Sequence, residues 1–210
     1  SQLAWDGKSD RIVMIAGSAQ AYRNVNGPGG FGTSENIVWI PAPGGDVTVI
    51  KPSNGRMMPH FINGNDRIYM FQGGKGLISM RWDGTDEKAH LKVSGIRTYP
   101  ALIDEQHCMM VETEREPQQR PSSASAIMMA PEGDRALAQI NNEIYVVTVP
   151  QVGGETPSIS VANPQGAAFP SWKLTTLGGE FPQWRADGQA VHWSLGNAYF
   201  AYDLEEAKRV

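Results

Sequence analysis

The sequence predicts an all-β chain assembled from repeated units of four antiparallel strands, and three observations carry that expectation. Residues 180–204 read as three strands in a row, at 181–185, 191–194 and 198–204. Asp187-Gly188 and Gly196-Asn197 fall between them, residue pairs that tolerate the positive φ of tight hairpin turns. The spacing then recurs: Trp184 is followed seven and nine residues later by Val191 and Trp193, as Phe61 is by Ile68 and Met70, and Trp5 by Ile12 and Met14. Met129, Ala136 and Ala138 form a weaker copy. In a strand, residues two apart share a face, so each copy turns two side chains the same way. Finally, Gly 23 and Pro 14 together exceed one residue in six, which suits short strands and tight turns better than long helices.

Each copy leads to a further strand, at 37–40, 77–82, 144–149 and 198–204. After the first three a fourth candidate follows, at 47–51, 89–93 and 158–161. Repeated units of four antiparallel strands are the signature of β-propeller blades. The anchors Trp5, Phe61, Met129 and Trp184 are 56, 68 and 55 residues apart (61−5, 129−61, 184−129), so insertions lengthen the repeat. The expectation is four to five blades, near 1–52, 56–95, 125–176 and 180–204, forming a small closed ring or an incomplete arc of a larger propeller. The four anchors are expected to sit at equivalent buried positions between adjacent blades.

Taken in order, the first blade is interrupted at 18–34, where Gly27-Pro28-Gly29-Gly30-Phe31-Gly32 satisfies G-x-G-x-x-G. It opens onto a strand rather than a helix, so it lacks the amides and dipole of a dinucleotide site and reads as a loop. The second blade is compact, with a glycine-rich hairpin at Gly73-Gly74-Lys75-Gly76. Asp83-Gly84-Thr85-Asp86-Glu87 lacks the alternating ligands of a calcium loop and reads as an acidic turn. Residues 96–124 are irregular, a reduced blade or an excursion: 98–103 and 107–112 are candidate strands, and 114–123 reads as a polar, proline-punctuated linker. Lys173, Leu174, Thr175 and Thr176 form a candidate outer strand before the last meander, and 205–210 is a charged, helix-prone ending.

The formal charge of −4 gives no electrostatic footprint for nucleic acid or an anionic membrane, and no apolar run reaches bilayer-spanning length. Ser1 in place of Met suggests a processed product or a piece of a longer polypeptide. Cys108, the one cysteine, reads as a half-buried thiol beside Met109 and Met110. His60, His90, His107 and His192 show no metal-ligand spacing, and neither a nucleophile elbow nor a P-loop is present. No catalytic, cofactor-binding or metal-ligating residue is therefore expected.

Trp184-Arg185-Ala186-Asp187-Gly188 with Ala198-Tyr199-Phe200-Ala201-Tyr202-Asp203-Leu204 resembles the repeat of TolB-type, WD-like (PD40) propellers. Pro131-Glu132-Gly133 with Glu143-Ile144-Tyr145-Val146-Val147 is a second match. The text at 76–85 and 192–197 looks like the propeller half of large bacterial proteins that continue into a metal-dependent amidohydrolase barrel. The resemblance implies a non-catalytic module that binds a protein segment or supports an adjacent hydrolase domain, in the periplasm or outside the cell. It assigns the zinc-binding histidines to the other domain. The competing expectation is a hydrolase or lyase with its site in the central channel, built from residues such as His60, His192 and Asp187. A third is self-association through terminal blades whose edges lack a partner strand.

Overall fold

In the computed structural model of the chain, residues 3–8, 10–17, 35–99, 118–150 and 153–205 are described. Four sheets follow one another. The first runs β1 (Leu3–Trp5), β2 (Arg11–Gly17), β3 (Glu35–Pro41) and β4 (Thr48–Pro52). The second runs β5 (Arg56–His60), β6 (Ile68–Gln72), β7 (Gly76–Met80) and the long β8 (Lys88–Tyr99). β9 (Gln118–Ser123) pairs with the second half of β8. β10 (Ala126–Met129), β11 (Arg135–Ile140), β12 (Glu143–Thr148) and β14 (Ser171–Lys173) make the third sheet; β13 (Ser158–Ser160) lies between the last two in sequence. The fourth holds three strands, β15 (Glu180–Trp184), β16 (Ala190–Leu195) and β17 (Ala198–Asp203).

Alternation of side chains explains how the sheets stack. In the second sheet Ile68, Met70, Ile78 and Met80 join Val13 and Ile37 of the first in one buried cluster. The intervening Tyr69, Phe71 and Leu77, with Leu91 and Val93, pack against Ile127, Met129, Ala136 and Tyr145 of the third. The third sheet uses its other face, Met128, Leu137, Ile144 and Val146, against Val191 and Trp193 of the fourth. Both middle sheets are thus covered on two faces, which is why β6, β7, β10 and β12 are buried along almost their whole length. Among the described residues no apolar cluster joins the fourth sheet to the first.

The repeat spacing is a register. Trp5 lies opposite Ile12, Met129 opposite Ala136 and Trp184 opposite Val191. The residue after each of these anchors donates its N–H across the turn: Asp6 to Arg11 O at 3.0 Å, Ala130 to Arg135 O at 2.8 Å and Arg185 to Ala190 O at 2.8 Å. The second sheet departs from this. A bulge between Met57 and His60, with Met58 at φ 56°, pairs His60 with Tyr69, and Asn63 N–H crosses to Pro131 O of the third sheet at 2.7 Å.

Three expectations are corrected. Ser158–Ser160 is not the fourth strand of its own sheet: it runs parallel to β8 and extends the second sheet, so the chain between β12 and β14 reaches back over the preceding sheet. Ser171–Lys173 supplies the missing fourth strand of the third sheet. Gln118–Ser123, read as linker, is a strand; its Pro121 is tolerated because β9 pairs on one side only. The expected equal burial of the anchors also fails at Trp5, which is 50% exposed. Phe61, Met129 and Trp184 each face the sheet before their own, whereas no cluster of the described residues includes Trp5. Residues 18–34, Cys108, His107 and the helix-prone ending from 206 lie outside the described residues, as do the candidate strands at 100–103 and 107–112.

Candidate functional site

The histidines are built into packing. His60 Nε2 lies 2.9 Å from the Met129 N–H, which must donate, so Nε2 is the acceptor and Nδ1 carries the proton, donated to Met58 O at 2.8 Å. Burial lowers the His60 pKa to about 4, only partly offset by the Met58 carbonyl. Its ring lies 5.9 Å from that of Tyr69, whose other neighbour is His90 at 5.3 Å. His90 Nε2 contacts Ser79 Oγ at 2.7 Å, and burial, with Arg67 and Lys88 nearby, lowers its pKa.

His192 sits on β16 with its ring stacked on Tyr199 at 5.5 Å. Its Nδ1 is buried without a hydrogen-bond partner. Asp187 lies in the turn before β16, where Arg185 Nε donates to it at 2.8 Å and Gln189 N–H at 2.9 Å; the Arg185 bonds hold its pKa down. His60, His192 and Asp187 thus each have separate surroundings. Among the described residues no three of His, Cys, Asp and Glu gather as a metal site.

The acidic turn after β7 is occupied by local bonds. Asp83 Oδ1 accepts from the Thr85 hydroxyl and N–H, and Asp86 pairs with Arg67 at 2.7 Å. Glu87 receives Arg56 at 2.6 Å and Lys75 at 2.7 Å; burial pushes its carboxyl up, but these cations hold it below the usual range. Between the first two sheets Arg11 lies 3.8 Å over the Trp82 ring, which also stacks on Phe61 at 5.6 Å. The acidic turn thus ties the second sheet to itself, and Arg11 on Trp82 secures the first sheet to the second.

Among the described residues, the outer side of the fourth sheet is a surface with unused binding capacity. β17 has no strand beyond it among the described residues, and Tyr199 and Phe200 are 71% and 40% exposed. Beside it, a groove of about 300 Å³ is lined by Leu174, Leu177, Trp193, Leu195, Phe200 and Tyr202. Trp193 and Phe200 stack 5.8 Å apart within it. The sequence reading passed over this groove, although the uncharged run Ala198-Tyr199-Phe200-Ala201-Tyr202 on an outer strand was its signal.

No protein-family model and no curated protein matches this sequence. Among solved structures the chain is similar to an oligogalacturonate lyase in complex with manganese, with a TM-score of 0.52 and 10% identity. The match covers 98% of this chain and 50% of that one, so the chain spans about half the length of the structure it resembles. That structure is a propeller. The chain is a partial β-propeller. Its four sheets are successive blades, with β1, β5, β10 and β15 as the first strand of each.

Proposed function

We propose that this partial propeller is a non-catalytic module that binds a protein segment or supports an adjacent domain. The observation that carries the reading is the asymmetry of its blades. The two middle blades bury both faces, Arg56, Arg67 and Lys75 of the second are ion-paired and its His60 is hydrogen-bonded to the third, whereas among the described residues the fourth exposes an open strand edge and an aromatic groove. An exposed apolar patch beside an open sheet edge is a surface suited to a polypeptide partner. TolB-like repeat chemistry and attachment to an amidohydrolase belong to this reading.

The alternative, a hydrolase or lyase of the central channel, draws on the similarity to a propeller lyase, which at 10% identity speaks for the fold alone. It also asks His60 to exchange protons while both ring nitrogens are engaged by main-chain groups. Selection of a displayed random-peptide library on the immobilised chain tests the proposal. The expected result is an enriched sequence family that binds saturably and is not cleaved. Failure to enrich any family counts against it, as does zinc- or manganese-dependent turnover that survives repurification and disappears in His192→Ala.

A further inference from the structure

We infer that the free edge of β17 accepts an extended peptide strand from a partner polypeptide, with aromatic or small aliphatic side chains at alternate positions seated in the adjoining groove. The inference rests on the binding-module reading and gives it a site and a class of ligand.

Comparison of the four outer strands singles out this edge. β4 carries Lys51 and Pro52, β14 carries Lys173, and β8 is covered by β13. Lysine, proline and added strands are the usual protections of a sheet edge. β17 has none of them: Ala198, Tyr199, Phe200, Ala201 and Tyr202 are all uncharged, and the first four are exposed. Among the described residues the other three blades have four or more strands and this one has three.

The neighbouring interface indicates what the groove would hold. Between the second and third blades the apolar cluster is extended by Ala167 and Phe169, on the segment that runs into β14, the outer strand of the third blade. Between the third and fourth blades the cluster of Leu174, Trp193 and Tyr202 continues into the groove, where no described residue plays the part of Phe169. An extended segment added along β17 would place every second side chain on Phe200 and Tyr202, completing the interface as Ala167 and Phe169 complete the one before it.

The probe is an N-acetylated, C-amidated peptide with the sequence of residues 165–174, added to the full chain and followed by calorimetry and amide hydrogen exchange. The expected result is saturable binding with new protection confined to Ala198–Asp203 and the groove. Phe200→Lys should weaken binding roughly tenfold or more, because it sets a charge in an apolar site. A peptide with Asp in place of the residue corresponding to Phe169 should be weakened likewise. Tyr199→Thr, directed to the other face of β17 and adding no charge to the edge, should bind within about threefold of the parent and report that the sheet is intact. Absence of saturable binding overturns the inference. So does protection on residues 143–148, which would mean that the peptide displaced β14, or protection of β17 that rises with protein concentration without peptide, which would make a second copy the occupant. A footprint on any other part of the chain also overturns it while leaving the binding-module reading standing.

Discussion

His60 on β5 accepts the main-chain N–H of Met129 on β10 at 2.9 Å, a side chain of one blade completing the backbone of the next. The carbonyl of the same peptide unit, on Met128, accepts Trp184 Nε1–H from the fourth blade at 3.1 Å. One peptide group of the third blade is therefore held from both neighbours. It is a point at which the relative placement of three blades is fixed by directional bonds as well as by apolar packing.

Replacing His60 with Phe should test the first of these bonds. The ring volume is nearly kept, but the Met129 N–H and the Met58 carbonyl lose their partner. Leaving buried main-chain groups unsatisfied should cost about 2–3 kcal/mol. Urea denaturation at pH 7 is the measurement; a change below about 0.5 kcal/mol would mean that water replaces the ring.

The same residue sets a pH dependence. His60 is neutral when folded, with its pKa lowered to about 4, against about 6.5 in an unfolded chain. Between those values the unfolded state binds the extra proton, so stability falls as pH drops below about 6.5 and the loss is complete near 4. The upper bound is about 3 kcal/mol, reduced by the residual exposure of the side chain. His90, also lowered, adds to the loss in the same direction. Stability measured from pH 8 to 4 should slope accordingly, and the slope should shrink in His60→Phe. The paired carboxylates Glu87 and Asp86, whose pKa values are held down, lose their contribution only below about pH 4.5, which separates the two effects.

Trp184 tests the other side of the clasp. Trp184→Phe keeps most of the apolar contact with the third blade and removes the donor to Met128 O, and should cost about 1 kcal/mol. Trp184→Ala should cost about 2–4 kcal/mol, toward the lower part of the range for large-to-small changes because the ring is only partly buried. Trp5→Ala, at the corresponding register position, should cost under about 1 kcal/mol because Trp5 is half exposed. Denaturation of the three variants side by side checks the order.

The register of the repeat was legible in the sequence because seven residues from Trp5 to Ile12, Met129 to Ala136 and Trp184 to Val191 span one closed turn, and local chemistry fixes that distance. Phe61 to Ile68 has the same spacing, yet the bulge at Met58 and the bond from Asn63 to Pro131 redirect the turn, and neither leaves a mark in periodicity. The three-residue strand Ser158–Ser160 was assigned to the wrong sheet, and Ser171–Lys173 was read two residues late at 173–176, because so short a strand carries no alternation; the sheet that supplies its partner decides. The surroundings of His60, His192 and Asp187 were hidden from the sequence for a related reason. Residues meet in a propeller channel only if strand position and side-chain direction agree on each blade, and His60 turns to the interface whereas Asp187 stays in an exposed turn. The groove beside β17 forms between a loop of one blade and the outer strand of the next, a juxtaposition that no linear motif records.

Glycine at position 76 tests packing within a blade. Its φ is +83°, and a Cβ there would lie 2.1 Å from the Leu91 carbonyl oxygen of β8, a main-chain atom that cannot turn aside. Gly76→Ala should therefore cost about 3 kcal/mol or more, combining backbone strain with separation of β7 from β8. Gly74, also at positive φ but with nothing within 4 Å of its would-be Cβ, should cost about 1 kcal/mol as Ala. Equal losses at the two positions would show that conformation alone, and not the contact with Leu91, requires Gly76.

The last prediction concerns how stability is distributed along the arc. β6, β7, β11 and β12 are buried on both faces and paired on both edges, so their amides should open only on global unfolding. β17 has one edge that no described strand covers and four exposed residues, and β1 is a three-residue strand carrying the exposed Leu3 and Trp5, so both should exchange through local opening at far lower cost. Hydrogen exchange followed by mass spectrometry should show protection highest in the two middle blades and falling toward both terminal ones. Uniform protection of Gly76–Met80 and Ala198–Asp203 in a strictly monomeric chain would contradict this, because an amide on an uncovered edge can match one in the core only if another strand covers it, as in a sealed ring.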